Sequence, residues 1–132
     1  MNNNVIVYTR VSTDEQAAQG YSLQNQEVTG VAYCKLKGHN VLNLYREDYS
    51  AKTFERPEWM KIMAFIKANK GLVNKLVFLK WDRFSRNSYE AQGMIKELEK
   101  LNVYVECIEQ PLDLKIPDNL MLLNIYLALP QN

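Results

Sequence analysis

The sequence is short of the residues from which most catalytic and cofactor sites are built. One histidine, two cysteines and five glycines are spread over 132 residues. The histidine, His39, follows Gly38 in a predicted turn, where nothing makes it a partner for a serine, and a Ser-His-Asp triad is set aside. The glycines are unclustered and Gly-x-Ser-x-Gly is absent, which excludes a phosphate-cradling glycine loop and a nucleophile elbow. His39, Cys34 and Cys107 lack metal-ligand spacing, so neither metal nor cofactor is expected. The two cysteines stand alone in apolar patterns, as buried free thiols in a reducing cytoplasm do. No apolar run is long enough to span a membrane, and Met1-Asn2-Asn3-Asn4 has neither the charged nor the apolar part of a signal peptide. The formal net charge of +1 is too small for a domain that grips nucleic acid through a broad basic face.

What is present is an ordinary globular composition, 47% apolar and 23% charged, in a chain of one-domain length (1–132). Strands are predicted at 5–9, 41–46, 75–80 and 103–108, the third an unbroken apolar run as in a central parallel strand. Helices are predicted over 23–37 with Ser22 as cap and Gly38 as stop, from Pro57 to Gly71, from a Ser88 cap through Leu101, and from Asp118 onward. The alternation of strand and helix predicts an α/β fold: a mainly parallel, four- to five-stranded sheet with right-handed crossovers and helices against it. Residues 47–56 and 81–87 read as polar loops after the second and third strands.

The last helix breaks the pattern. Leu120, Met121, Leu122, Leu123, Ile125, Tyr126, Leu127, Ala128 and Leu129 are apolar nearly all round, so burial on most sides and packing on another subunit are expected. The chain stops at Pro130-Gln131-Asn132, within that helix, and reads as a fragment.

The most informative line is Tyr8-x-Arg10-x-Ser12, where a buried strand (Val5, Ile6, Val7) delivers polar groups to its carboxyl end. At a two-residue period the three face one side of an extended backbone, and open parallel sheets bind ligands outside those strand ends. Lys80, Arg83 and Arg86 crowd the loop after the third strand, and Arg10 and Arg56 are placed to join them in a small cationic pocket. Taken singly, Ser12 also fits a helix cap, Asp48 and Arg56 a surface ion pair, and Trp59 and Trp81 plain packing. Together, serine, arginines and carboxylates suit phosphoryl transfer: guanidinium groups hold phosphate oxygens by paired, charge-assisted hydrogen bonds and meet the charge of the transition state.

Tyr8-Thr9-Arg10-Val11-Ser12-Thr13-Asp14-Glu15-Gln16, the later Gln26, and Lys80-Trp81-Asp82-Arg83-Phe84-Ser85-Arg86 resemble the catalytic domain of the serine recombinases, the resolvase and invertase family, over essentially the whole chain. The long 17–24 loop looks most like the large serine recombinases of phage integrase and transposon type. The resemblance implies that Ser12 attacks a DNA phosphodiester and becomes joined to the 5′ phosphate. It places Arg10, Arg83, Arg86 and Arg56 around the scissile phosphate, with Tyr8, Gln16 and Gln26 in the same pocket. Asp82 and Asp48 match family acids that orient arginines or assist proton transfer, and Lys67 matches a family lysine if a short insertion is allowed. It implies DNA as partner, a homodimer that goes on to a homotetramer through the C-terminal helix, and no nucleotide cofactor, because the phosphoserine link keeps the bond energy for religation. The family continues its last helix beyond the point where this chain ends, so the DNA-reading regions are expected to be absent and the fragment is not expected to recombine alone. Two other readings stand beside it. One is a non-catalytic flavodoxin-like module holding a phosphorylated ligand at the same strand edge; the other is an assembly domain in which the last helix matters and the arginines are incidental.

Overall fold

The computed structural model describes residues 3–11 and 22–128. Four parallel strands, β1 (Asn4–Val11), β2 (Asn40–Asp48), β3 (Lys75–Phe78) and β4 (Tyr104–Cys107), form one sheet in the order β2-β1-β3-β4. The helices are α1 (Leu23–Lys37), α2 (Pro57–Ala68), the single turn α3 (Trp81–Phe84), α4 (Ser88–Lys100) and α5 (Asn119–Ala128). The chain leaves β1 for one edge of the sheet and returns to the other side for β3. The topological switch point, where open α/β sheets bind ligands, therefore falls at the carboxyl ends of β1 and β3.

The two faces of the sheet are covered unequally. Ile6, Tyr8, Leu76 and Phe78 face the main core, with Trp59, Ile62 and Ile66 of α2, Trp81 and Phe84 of α3, and Ala91, Ile95 and Leu98 of α4. Val5, Val7 and Val77 face the other way onto Cys34 of α1. Trp59 and Trp81 are packing residues, as expected, and both cysteines are buried free thiols. Burial raises the pKa of Cys34 to about 11 and that of Cys107 to about 12.

Where the sequence reading differs, local chemistry gives the reason. β1 and β2 run on to Val11 and Asp48, because their pairing continues register by register past the apolar residues. The predicted loop after β3 begins with one helical turn whose Trp81 and Phe84 anchor it in the core. The cap of α4 is Asn87, whose side chain accepts from the Glu90 N–H; Ser88 instead pairs with Asn124 and ties α4 to α5. Within this chain α5 is buried on one side only. Leu123 is buried and Leu120, Tyr126 and Leu127 pack on the core, while Met121 is 70% exposed and Ile125 51%. Among the described residues no helix is long and apolar enough to cross a membrane.

Candidate active site at the carboxyl end of β1

β1 is central, and its last turns of pleat carry Tyr8 and Arg10 into the space under α3 and the β2–α2 connection. Both are fully buried. The Arg10 guanidinium donates to three main-chain carbonyls: Nε to Arg83 at 3.2 Å, Nη2 to Asp82 at 2.8 Å, and Nη1 to Tyr49 at 2.8 Å. Two of these carbonyls belong to α3 and the third to the segment after β2, so one side chain fastens both loops to the end of β1.

The peptide of Arg10 is fixed just as firmly. β1 pairs with β3 only from Val5 to Val7, which leaves the Arg10 main chain beyond the ladder on that side. The Gln26 side-chain amide of α1 fills the gap: its Oε1 accepts from the Arg10 N–H at 3.1 Å and its Nε2 donates to the Arg10 carbonyl at 3.0 Å. A primary amide thus stands in for a strand neighbour and satisfies a buried donor and acceptor together. Arg83 Nη1 adds a second donor to the same carbonyl at 3.0 Å, and its Nε pairs with Asp82 Oδ1 at 2.8 Å.

Arg56 comes from the other side. It precedes Pro57 at the start of α2, is fully buried, and lies over the Phe54 ring at 4.4 Å. Its Nε donates to the Thr53 carbonyl and its Nη1 to the Tyr8 hydroxyl at 3.2 Å, while Nη2 has no hydrogen-bond partner. The surface ion pair that Arg56 could have formed is therefore not its environment.

The acid that organises this side is Glu47, which the sequence reading passed over in favour of Asp48. Glu47 is buried and Asp48 exposed. The Glu47 carboxylate accepts from the Tyr8 hydroxyl at 3.0 Å and from the first N–H groups of α2, those of Glu58 and Trp59, each at 2.9 Å. It therefore caps α2 from another element, where a negative charge is favoured by the helix dipole. Burial is the largest effect on Tyr8 and raises its pKa; Arg56 opposes and Glu47 reinforces this, so the phenol stays protonated. The signal that could have found Glu47 is the pleat: it lies two residues after Tyr45, which packs on the core, whereas Asp48 falls on the alternate register.

The structure thus brings Tyr8, Arg10, Gln26, Arg56, Asp82 and Arg83 together from β1, α1, the β2–α2 connection and α3. Arg86 follows α3 and is exposed. Lys80 lies 3.7 Å from Glu109. Lys67 is not part of the cluster: it is exposed in the last turn of α2, while the first turn of that helix is the end that meets Glu47. The intervening turns separate it from the cluster by roughly 13 Å of helix. Ser12 and Gln16 lie outside the described residues. Among the described residues there is no group of three or more His, Cys, Asp or Glu that could hold a metal ion. Three buried guanidinium groups against the carboxylates of Asp82 and Glu47 leave an excess of positive charge at the strand end, suited to an anion with several oxygens.

Whole-chain comparisons give the family and the fold. The family model "Resolvase, N terminal domain" matches residues 5–131, and the chain belongs to that family. A putative DNA recombinase of Bacillus subtilis (strain 168) is 31% identical over 99 residues, which is 75% of this chain but 19% of that protein; the chain spans only a small part of that relative's length. The N-terminal catalytic domain of TP901-1 integrase superimposes with a TM-score of 0.79 at 25% identity, covering 96% of this chain and 93% of that one. A resolvase family site-specific recombinase from Streptococcus pneumoniae gives 0.74 at 25% identity, covering 93% and 84%. The fold is the resolvase-like α/β sheet, and by family and fold the chain is a domain of serine recombinase type.

Proposed function

We propose that the domain breaks and rejoins DNA through a covalent phosphoserine. The Ser12 oxygen, its proton taken by a base, attacks a backbone phosphorus. The bond to the 3′ oxygen breaks and that oxygen leaves protonated, so that a 5′-phosphoserine and a free 3′ hydroxyl remain. Reversal on a new 3′ hydroxyl restores the phosphodiester and the serine, with no nucleotide consumed.

The observation that carries the reading is the convergence of Arg10, Arg83 and Arg56, from three separate segments, on the end of the strand that leads directly to Ser12. Guanidinium groups placed there meet the charge that builds on the non-bridging phosphate oxygens. Arg10 and Arg83 are held by main-chain carbonyls and Arg56 by Tyr8, so the cations are set before a substrate arrives. Exposed Arg86 is the member best placed to meet DNA from solvent, and Gln16 completes the polar set. Asp82 orients Arg83 through its 2.8 Å pair. Lys67 has no part in this mechanism.

The partners follow from the same reading. DNA is the substrate, and exchange requires a dimer that passes to a tetramer; the exposed side of α5, with Met121, Leu122 and Ile125, is the surface offered for it. The reaction belongs to the cytoplasm, where DNA and free thiols coexist. The test is incubation of the full-length gene product with its recombination site carrying a nick, followed by denaturing electrophoresis. A DNA-linked band that disappears in Ser12→Ala, with circular dichroism unchanged, is the expected result; a band that persists in Ser12→Ala assigns the attack elsewhere.

A further inference from the structure

Helix α1 is held to the sheet by unusually little apolar surface. Its buried residues are Gln26, Gly30 and Cys34, one line at four-residue spacing, made of an amide, a hydrogen and a thiol. Val28 is 65% exposed, Val31 40% and Leu36 89%, so the helix spends its larger apolar side chains on solvent. Burial of so narrow a seam contributes little, and polar contacts must seat the helix.

Those contacts lie at its two ends. At the start, Gln26 closes on the Arg10 peptide. At the finish, a cluster outside the candidate active site converges on Glu106 of β4. Tyr33 Oη donates to Glu106 Oε2 at 2.6 Å, His39 Nε2 lies 3.0 Å from the same oxygen, and Lys75 Nζ of β3 lies 2.7 Å from Oε1. Tyr33 belongs to α1 and His39 to the turn directly after it. That turn is fixed by Gly38, whose positive φ of 74° suits glycine and closes the helix onto the Cys34 and Lys35 carbonyls. The His39 ring is almost fully buried and its Nδ1 has no hydrogen-bond partner, so Nε2 is the ring's hydrogen-bonding hold. Lys75 neutralises the carboxylate and lets it sit half-buried on the sheet.

We propose that Glu106 is a positioning residue: it seats α1 through Tyr33 and His39, and α1 in turn holds Gln26 against the Arg10 peptide. The consequence for catalysis rests on the recombinase reading above; the mechanical coupling does not. The hydrogen-bond partners of Glu106 are Tyr33, His39 and Lys75, and its effect travels along a helix with two discrete attachments.

Amide hydrogen exchange of the chain, read residue by residue, tests the coupling without DNA. In Glu106→Ala, exchange of the Arg10 and Gly30 amides is expected to quicken roughly tenfold or more, while those of Ile6 and Leu76 in the ladder keep their rates. Glu106→Gln, which retains an oxygen for Tyr33, is expected to restore about half of the lost protection on a logarithmic scale. In a Gln26→Ala background, where the Arg10 amide has already lost its partner, adding Glu106→Ala is expected to leave the Arg10 rate unchanged within about twofold. Equal quickening at Arg10, Ile6 and Leu76 would mean that Glu106 supports the fold as a whole, and overturns the proposal. So would a full Glu106→Ala effect at Arg10 in the absence of Gln26. The covalent band on nicked DNA is a separate readout, so failure of the phosphoserine reading leaves the exchange result standing.

Discussion

Arg10 and Arg83 hold each other by the main chain. The Arg83 side chain donates to the Arg10 carbonyl at 3.0 Å, and the Arg10 side chain donates to the Arg83 carbonyl at 3.2 Å. Two like charges are thereby kept side by side, each turned toward the other's peptide dipole. Neither guanidinium can leave without taking a charged donor from a buried carbonyl of the other residue.

Removing either side chain is therefore expected to cost stability as well as activity. Arg83→Ala should lower the unfolding free energy by about 2–4 kcal/mol, since it strips a charged donor from a buried carbonyl and a partner from Asp82. Arg10→Lys should cost nearly as much as Arg10→Ala, because an ammonium is a point charge and cannot span three carbonyls. Urea titration of the three single variants and the double Ala variant checks this, and the loss in the double should fall short of the sum of the two Ala variants by about 1–2 kcal/mol.

The two adjacent acids at the end of β2 should behave differently. Glu47→Gln replaces a carboxylate that accepts from Tyr8 and two α2 amides with a group having one acceptor oxygen and one NH2 facing donors. A loss of about 1–3 kcal/mol is expected, with faster amide exchange in the first turn of α2. Asp48→Asn, at an exposed position, should cost less than Glu47→Gln. Equal effects would mean that Glu47 does not carry the cap.

This pair also marks how far the sequence could be read. The alternation of strands and helices, the span of α1 and the Pro57 start of α2 were legible because each depends on local signals: period, cap, stop. The meeting of Arg10 with Arg83 was legible in outline, since loops after parallel strands gather at one edge. What was hidden is how polar side chains finish backbone ladders. Nothing in the sequence near Gln26 says that its amide replaces a strand neighbour of Arg10, and the acid next to Asp48 is singled out only once β2 is known to run to Asp48. The exposed side of α5 was hidden for the opposite reason: an all-apolar helix predicts burial without saying in which chain.

Glycine substitutions in two helices should have opposite signs. A Cβ on Gly30 of α1 would lie 2.8 Å from Val7 Cγ1, on a buried β-branched side chain of the central strand whose χ1 is restricted. Gly30→Ala is expected to destabilise by about 1–3 kcal/mol even after the helix-propensity gain of about 1 kcal/mol. Gly93→Ala in α4 meets nothing within 4 Å and should stabilise by about 0.5–1 kcal/mol. Thermal unfolding followed by circular dichroism distinguishes the two.

The Glu106 cluster should also shape the dependence of stability on pH. Burial alone would raise the Glu106 pKa, but hydrogen bonds from Lys75, Tyr33 and His39 and the charge of Lys75 outweigh it and bring the group down to about 2, from an ordinary 4.5. Between those values the unfolded chain binds a proton that the folded chain does not. The contribution of Glu106 is therefore complete above about pH 4.5 and is lost as pH falls toward 2. At the alkaline end the sign reverses for Tyr33, whose pKa is raised first by burial and then by Glu106 from its ordinary 10.0. The folded chain keeps the phenolic proton while the unfolded chain gives it up, so stability falls as pH climbs past 10. Urea titrations across pH should thus show a smaller acid loss in Glu106→Gln than in the natural sequence. Tyr33→Phe should flatten only part of the alkaline decline, since Tyr8 is raised in the same way. An acid limb of undiminished slope in Glu106→Gln would mean that the three donors around this carboxylate do not favour its charged form.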